Sequence, residues 1–266
     1  MIFGKLIAVA NQKGGVGKTT TAVNLGAALA VEGKRTVIVD LDPQGNATTG
    51  LGFSRGRTEG GVYDVLCGNR VLGEVVSPTE IPQLFLLPAT TDLAGAEVEL
   101  AVADRREYRL KEALGPMRGA YDFILLDCPP SLGLLTLNAL TAADSLLVPI
   151  QSEYYALEGL GALLDTLRLV QRSLNPSLRL EGILVTMFDG RNRLSHQVVE
   201  EIRAHFPDKL FRTIVRRNVR LSESPSFGKP ICLYDPLCTG AQDYLALAKE
   251  LLGRGEMDVT AEKGIR

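Results

Sequence analysis

The stretch that most constrains the fold is the glycine-rich segment at residues 10–20, Ala-Asn-Gln-Lys-Gly-Gly-Val-Gly-Lys-Thr-Thr. It follows an apolar run at residues 6–10 and precedes a segment whose apolar residues recur at helical spacing. A strand, a glycine-rich turn and a helix in this order form a phosphate-binding loop. Backbone N–H groups turn inward, Lys18 reaches the phosphates and the Thr19 hydroxyl can ligate Mg²⁺. The predicted nucleotide-binding residues are Lys13, Gly14, Gly15, Val16, Gly17, Lys18, Thr19 and Thr20.

The loop departs from the common form G-x-x-x-x-G-K-[ST] at one position, because Gln12 stands where the first glycine is usual. Lys13 instead precedes two glycines, so two lysines lie in a loop that wraps around one triphosphate. One interpretation makes Lys13 a solvated loop charge. The other places its ammonium group on phosphate, either in its own site or in that of a neighbouring molecule.

Three aspartates lie at the carboxyl ends of predicted parallel strands. Residues 36–40 form a short β-branched run that ends in Asp40, and Asp42 lies in the following loop. Residues 123–126 form a second apolar run, which Asp127 and a double proline follow. Because ligands of open α/β sheets bind beyond the carboxyl ends of the strands, these carboxylates are expected to face the phosphate site. Asp127 is predicted to hold the Mg²⁺ shell through water. For Asp42, a role as a turn cap is the alternative.

The K-G-G-V-G-K-T loop at residues 13–19 and the stretch at residues 151–159, Gln-Ser-Glu-Tyr-Tyr-Ala-Leu-Glu-Gly, carry a resemblance. The chain resembles the deviant-Walker ATPases, and in particular the chromosome-partition branch, the ParA/Soj proteins, from about residue 6 to residue 252. The resemblance implies an ATPase that uses ATP and Mg²⁺. It implies that Lys13 crosses a dimer interface to the partner's nucleotide, that Asp42 orients the attacking water and that Asp40 lies close to the metal. Lys13 and Asp42 are thus the expected catalytic residues, and Thr19, Asp40 and Asp127 the expected metal site.

The resemblance also implies partners. The ATP-bound form is expected to be a homodimer that binds double-stranded DNA without sequence preference. Hydrolysis, stimulated by a ParB/Spo0J-type centromere-binding protein, is expected to release the DNA during chromosome or plasmid segregation.

Residues 211–215 are predicted to form a last strand, and the segment at residues 211–220 contributes to two further predicted sites. Asn218 can hydrogen-bond an adenine edge, and in the family this asparagine belongs to the base pocket. Arg216 replaces the proline that the family usually has two residues earlier, so it is counted among the nucleotide-binding residues. Between residues 212 and 220 there are four arginines and no acid. A solvated loop face is one interpretation of this charge and a DNA surface is the other. The predicted DNA-binding residues are Arg191, Arg193, Arg217 and Arg220, of which the family resemblance indicates Arg191 and Arg220.

Strands alternate with helices along the whole chain, which predicts one doubly wound, mostly parallel sheet with helices on both faces. We expect a single ATPase domain at residues 1–253 and a disordered, charged tail at residues 254–266. No apolar run has the length of a membrane span and no signal peptide opens the chain, so we expect a cytoplasmic, nucleoid-associated protein without a membrane partner. The net charge is −2, so any DNA binding must come from a local patch. The four cysteines form no C-x-x-C pair, which argues against a zinc site.

Three other classes of protein fit parts of the sequence less well. A division-site regulator of the MinD type shares the loop but needs a basic amphipathic C-terminal helix, and residues 244–252 show no basic face. An iron–sulfur reductase of the nitrogenase type needs two cysteines per subunit at the dimer axis, and Cys128 follows Asp127 too closely for that resemblance. A small-molecule kinase or synthetase needs a second substrate pocket, for which the sequence offers no candidate.

Overall fold

The structure is a computed structural model that describes residues 4–54, 56, 58–153 and 156–263, with side chains described as far as Arg254. Tyr154 and Tyr155 of the resembling stretch and the tail residues 264–266 lie outside the described residues. The strands are β1 Lys5–Val9, β2 Thr36–Asp40, β3 Ser77–Pro78, β4 Leu84–Leu87, β5 Phe123–Asp127, β6 Ser145–Gln151 and β7 Arg179–Thr186. The helices are α1 Lys18–Val31, α2 Asn46–Gly50, α3 Val62–Cys67, α4 Leu72–Val75, α5 Leu93–Leu100, α6 Arg109–Leu114, α7 Leu134–Ala142, α8 Ala156–Ser173, α9 Arg193–His205, α10 Val219–Glu223, α11 Ile231–Tyr234 and α12 Thr239–Lys263. Two short 3₁₀ helices cover Gly115–Gly119 and Ser224–Phe227.

The described strands form one sheet in the order β3-β4-β2-β5-β1-β6-β7. All pairs are parallel except β3 with β4, so the sheet is mostly parallel, as the alternation of strands and helices predicts. The carboxyl ends of β1, β2, β5, β6 and β7 therefore meet at one edge. The glycine-rich loop, Asp40 and Asp127 all lie at that edge, where ligands of such sheets bind.

Strand residues alternate between two hydrophobic cores, one on each face of the sheet. Leu6 and Ala8 of β1 join a core that includes residues of α3 and α5–α9. Ile7 and Val9 join the core formed with α1, α11 and α12. Helix α1 packs closely on β2. The lack of a side chain at Gly26 allows this, since a Cβ atom there would lie 2.8 Å from Cδ1 of Ile38. This packing fixes the N-terminus of α1, and with it the glycine-rich loop, above the sheet.

The prediction of a last strand at residues 211–215 is wrong. The described chain shows only isolated bridges at Leu210 and Arg216. The physical reason is a side chain on α12: Glu250 accepts the backbone N–H groups of Arg212 and Thr213, both at 2.8 Å. The Thr213 donor is thereby withdrawn from the sheet, while Phe211 and Val215 still donate to Ile183 and Val185 of β7 at 2.9 Å. The short antiparallel strand β3 was not predicted.

The C-terminal region also differs from expectation. Residues 254–263, assigned from the sequence to a disordered tail, continue α12 as helix. Arg254 is held by the domain, since it donates to the Leu210 carbonyl at 3.0 Å and lies 4.0 Å from the centre of the Phe211 ring. The domain therefore extends past residue 253. Among the described residues, no helix has both the length and the apolar character that crossing a membrane requires.

Candidate nucleotide site

The glycine-rich loop connects β1 to α1 and depends on two glycines in left-handed conformation. Gly15 has φ +75° and Gly17, at the N-cap of α1, has φ +86°. A side chain is strained at either position. A Cβ atom at Gly14 or Gly15 would have no neighbour within 4 Å, so this part of the loop is open. Val16 is buried and anchors the loop.

Lys18 lies at the first residue of α1, with 7% of its surface exposed. Its Nζ donates to the carbonyl oxygen of Lys13 at 3.1 Å, which closes the loop on itself. Burial lowers the pKa of Lys18, while Asp127 and Asp42 act in the opposite direction. A positive charge is thus held behind the open face of the loop, where a phosphate group can meet it.

Asp40 and Asp127 are directly paired neighbours at the ends of β2 and β5. Burial raises the pKa of Asp40 to about 6. Its Oδ2 accepts from the backbone N–H and the hydroxyl of Thr48 at 2.8 and 2.7 Å, and its Oδ1 accepts from the Asp42 amide at 3.2 Å. Asp40 is therefore engaged in shaping the loop that carries Asp42.

Asp127 is in a different position. It is fully buried, and neither of its carboxylate oxygens has a hydrogen-bond partner in the described part of the chain. Burial and the neighbouring Asp40 raise its pKa well above the usual range, whereas Thr19 and Lys18 act in the opposite direction. A buried carboxylate without a partner is costly unless a cation or donor completes it. Asp127 beside Thr19 thus has the chemistry of an Mg²⁺ site.

No three His, Cys, Asp or Glu side chains among the described residues come together as a metal cage. This agrees with the usual binding of Mg²⁺, which takes one or two protein ligands and receives the rest from phosphates and water. The two side chains at this position, Thr19 and Asp127, fit that pattern.

Asp42 and Lys13, the predicted catalytic residues, lie on different sides of the loop. Asp42 is 6% exposed, lines the nucleotide cavity and accepts from the Gln44 amide at 2.9 Å, so it also acts as a turn cap. Lys13 points away from its own site. Its Nζ lies 2.6 Å from the Glu153 carboxylate, in the loop between β6 and α8.

A cavity of about 480 Å³ extends from the glycine-rich loop to the segment at residues 215–225. Gly14, Gly15, Gly17, Lys18, Thr19 and Thr20 line one end, and Arg216 and Asn218 the other. The volume is typical of sites for small molecules. A larger groove, of about 1020 Å³, opens at the opposite ends of β1, β6 and β7 and contains none of the predicted site residues.

The predicted base-pocket residues are engaged with the protein. The Asn218 Oδ1 caps α10 by accepting from the Arg220 amide at 2.8 Å, and its Nδ2 donates to Thr239 at 2.7 Å. Arg216 forms a bidentate ion pair with Asp243 of α12, with a closest distance of 2.6 Å. This pair raises the pKa of Arg216. Both residues therefore fix the wall of the cavity.

Of the predicted DNA-binding arginines, Arg191 and Arg217 lie in loops, whereas Arg193 begins α9 and Arg220 lies in α10. Arg191 pairs with Asp189 at 2.8 Å, and this hydrogen bond lowers the pKa of Asp189 to about 2, with Arg217 contributing. Arg220 pairs with Glu223 at 3.0 Å and with Asp235 at 3.4 Å. Within the described chain, Arg193 and Arg217 form no ion pair.

Three residues that shape the site were not predicted from the sequence: Glu153, Asp243 and Thr186. Glu153 pairs with Lys13 and Asp243 with Arg216, and both partners are distant in sequence. Nothing local in the sequence indicates such pairs. Thr186 ends β7 at the cavity, and its signal was available, because a polar residue after a buried parallel strand lies at the ligand-binding edge.

The chain is similar in sequence and in structure to known proteins over nearly its whole length. A family model described as an AAA domain matches residues 4–180. The chain is 58% identical over 251 residues to the chromosome partitioning protein ParA of Myxococcus xanthus, covering 94% of this chain and 89% of that protein. It is 57% identical over 253 residues to the sporulation initiation inhibitor protein Soj of Bacillus subtilis, covering 95% of this chain and 100% of the relative. A crystal structure of cobyrinic acid a,c-diamide synthase from Mycobacterium smegmatis with bound ADP and magnesium superposes with a TM-score of 0.83. It is 39% identical, over 95% of this chain and 96% of that one.

Proposed function

Since the chain belongs to the ParA/Soj family of chromosome-partitioning ATPases, we propose that it is an ATP-dependent switch in the segregation of DNA. The chain is an ATPase whose cofactors are ATP and Mg²⁺. The observation that carries the proposal is one continuous cavity, which extends from the glycine-rich loop to the wall formed by Arg216 and Asn218. It offers phosphate donors at one end and room for a base at the other.

The residues of the loop bind the triphosphate. The N–H groups of Gly14, Gly15 and Gly17 and the ammonium group of Lys18 neutralise its charge. Thr19 and Asp127 would hold Mg²⁺, which would supply positive charge against the negative charge that develops on the phosphates. The proposal is supported by the two Asp127 oxygens, which are buried and have no partner in the described chain. Asp40 stabilises the loop that carries Asp42, because it accepts hydrogen bonds from the amides of Thr48 and Asp42.

Asp42 orients the attacking water, because it is the one carboxylate of the three that lines the cavity. The water oxygen forms a bond to the γ-phosphorus, the bond from this phosphorus to the bridging oxygen breaks, and ADP and phosphate leave. In this proposal Lys13 acts in trans. Its ammonium group lies outside its own cavity, on an exposed ion pair that a partner's triphosphate can replace.

ATP then closes a homodimer, and the dimer binds double-stranded DNA without sequence preference through arginines of both subunits. Pairing two patches raises the number of released counterions and hence the affinity, which makes DNA binding depend on the nucleotide. Hydrolysis, stimulated by a ParB/Spo0J-type partner, releases the DNA. We accordingly place the protein on the nucleoid.

Mixing the protein with fluorescent DNA of two unrelated sequences tests the proposal. Binding is expected with ATP and Mg²⁺ and not with ADP, at equal affinity for both sequences, and Lys18→Ala is expected to abolish it. In the same assay, anionic lipid vesicles replace DNA. ATP-dependent binding to vesicles but not to DNA would contradict a partition switch and favour a division-site regulator of the MinD type.

A further inference from the structure

Thr186 at the end of β7 contacts the glycine-rich loop from the side, although 170 residues separate it from that loop. Its hydroxyl donates to the carbonyl oxygen of Val16 at 2.8 Å and lies 3.2 Å from the carbonyl oxygen of Ile150 on β6. The side chain is buried, with 2% of its surface exposed. One hydroxyl proton thus joins the loop to two strands of the sheet.

The contact acts on one peptide group of the loop. In a trans peptide the C=O and the N–H point in opposite directions. Because Thr186 holds the Val16 carbonyl on the side of β7, the N–H of Gly17 in the same peptide is directed to the other side. Gly17 opens α1 and lines the nucleotide cavity, so its N–H is one of the donors for the phosphates.

Two neighbouring residues have a left-handed backbone conformation, which Gly17 adopts without strain and which is uncommon for Met187. Gly17 has φ +86°, and a Cβ atom at this position would lie 3.8–3.9 Å from three side-chain atoms of Thr186. Met187, directly after Thr186, has φ +49°, which is uncommon for a residue other than glycine. Strained backbone of this kind persists where the surroundings fix it and is concentrated at functional sites.

We propose that Thr186 is a positioning residue, whose hydroxyl sets the orientation of the Val16–Gly17 peptide and so prepares the loop for the phosphates. The inference rests on the proposed binding of ATP by this loop. It assigns to β7 a role in nucleotide binding beyond the walls of the cavity. Without the hydroxyl, the buried Val16 carbonyl has no donor among the residues that the structure describes, and the peptide is free to turn.

Thr186→Val tests the proposal, because it keeps the shape of the side chain and removes only the donor. Binding of a fluorescently labelled ATP is measured first, and tripolyphosphate and adenosine then compete with it separately. The quantities compared are the affinities for the three ligands. Loss of one hydrogen bond at a buried carbonyl should weaken the binding of ATP and of tripolyphosphate about tenfold. The affinity for adenosine should stay unchanged, and Thr186→Ser, which keeps the hydroxyl, should bind tripolyphosphate like the parent.

Thr141→Val is the matched control. Thr141 is equally buried and its hydroxyl donates to the Leu137 carbonyl within α7 at 2.8 Å. A general loss of stability from removing a buried hydroxyl would affect both variants, whereas the proposal predicts a loss of phosphate affinity in Thr186→Val alone. Equal tripolyphosphate affinity of Thr186→Val and the parent would overturn the inference. A parent protein that does not bind ATP would instead overturn the proposed function.

A second measurement does not depend on any variant that fails to fold. In amide NMR spectra of the parent protein, the Gly17 resonance should shift when ADP and Mg²⁺ are added, because its N–H is directed at the phosphates. A Gly17 amide that does not respond, while the amides of Gly14 and Gly15 do, would show that the peptide is oriented otherwise and would contradict the role of Thr186.

Discussion

The ammonium group of Lys13 lies 2.6 Å from the carboxylate of Glu153, and both side chains are about half exposed, at 40% and 48%. Exposed ion pairs of this kind stabilise a protein by about 0–1 kcal/mol. A triphosphate carries several negative charges and therefore competes well for the same lysine. Lys13 is thus held outside its own nucleotide site by a contact that is easily exchanged.

The first prediction concerns Lys13→Ala, which should bind ATP like the parent and fail to dimerise. The Lys13 side chain does not line its own cavity, but in the proposed dimer it has an attractive target on the partner. Light scattering with ATP should report a dimer for the slowly hydrolysing Asp42→Ala variant and a monomer for Lys13→Ala. Lys111→Ala, which removes an exposed lysine on α6, is the control. If Lys13→Ala still dimerises with ATP, Lys13 is only a solvated charge of the loop and the proposed contact with the partner is wrong.

The second prediction separates binding from turnover. Lys18→Ala should abolish nucleotide binding, because it removes the buried charge that faces the phosphates. Asp42→Ala should leave the affinity for ATP within about threefold and slow hydrolysis by a factor of about 10² or more, because only the positioning of water is lost. Fluorescent-nucleotide titration and phosphate release measure the two quantities. An equal loss of affinity in both variants would contradict this division of labour.

The central part of the site was predictable from the sequence because it is local. The glycine-rich motif that ends in Gly17 and Lys18 identifies the phosphate-binding loop. Buried apolar runs that end in Asp40 and Asp127 identify the carboxyl ends of parallel strands. The structure places all of these at one edge of the sheet. Local pattern and tertiary position agree here, as in sequences whose local and global preferences are consistent.

What the sequence did not predict depends on contacts between distant residues. The apolar pattern at residues 211–215 is that of a strand, but Glu250 takes two of its amide donors. Asn218 has the donor and acceptor of a base-reading amide, but both are engaged, with α10 and with Thr239. Such competition for hydrogen-bond partners is decided by the packing of α12, which local patterns do not show.

The third prediction follows from the same glutamate. Burial raises the pKa of Glu250, but the amides of Arg212 and Thr213 and the nearby Arg254 outweigh this, so the net shift is downward. A lowered pKa in the folded state gives stability that is complete above the unfolded pKa and lost as the pH falls through the folded one. Glu250→Gln should therefore lower the free energy of unfolding by about 1–3 kcal/mol at pH 7.

Urea unfolding at pH 7, 5.5 and 4 measures the effect. The difference in the free energy of unfolding between parent and Glu250→Gln should be constant between pH 7 and 5.5. It should shrink at pH 4, where the Glu250 carboxylate of the unfolded parent begins to bind a proton. Glu158→Gln, at an exposed position on α8, should show no such difference. A difference that stays the same at all three pH values would mean that the charge of Glu250 is not what stabilises the segment.

The last prediction concerns the DNA surface. Arg191 and Arg220 are paired with acids, while Arg193 and Arg217 have no ion pair within the described chain. Arg217 donates its backbone N–H to the carbonyl oxygen of Phe188 at 3.0 Å, which places it next to Asp189 and hence in the same patch as Arg191. The paired carboxylates are partly exposed, at 29% for Asp189, 40% for Glu223 and 33% for Asp235, so DNA phosphates can replace them at modest cost.

Alanine substitution of any of the four arginines should therefore weaken the binding of unrelated DNA sequences alike, with ATP-dependent dimerisation preserved. Each substitution removes one phosphate contact per subunit, so the slope of log affinity against log salt should fall by about two per dimer. Asp189→Asn should tighten binding a few-fold, because it removes the competing carboxylate. Arg168→Ala on α8, which breaks an exposed pair with Asp165, is the control. If the four variants hold DNA as tightly as the parent over a salt titration, the DNA surface lies elsewhere on the molecule.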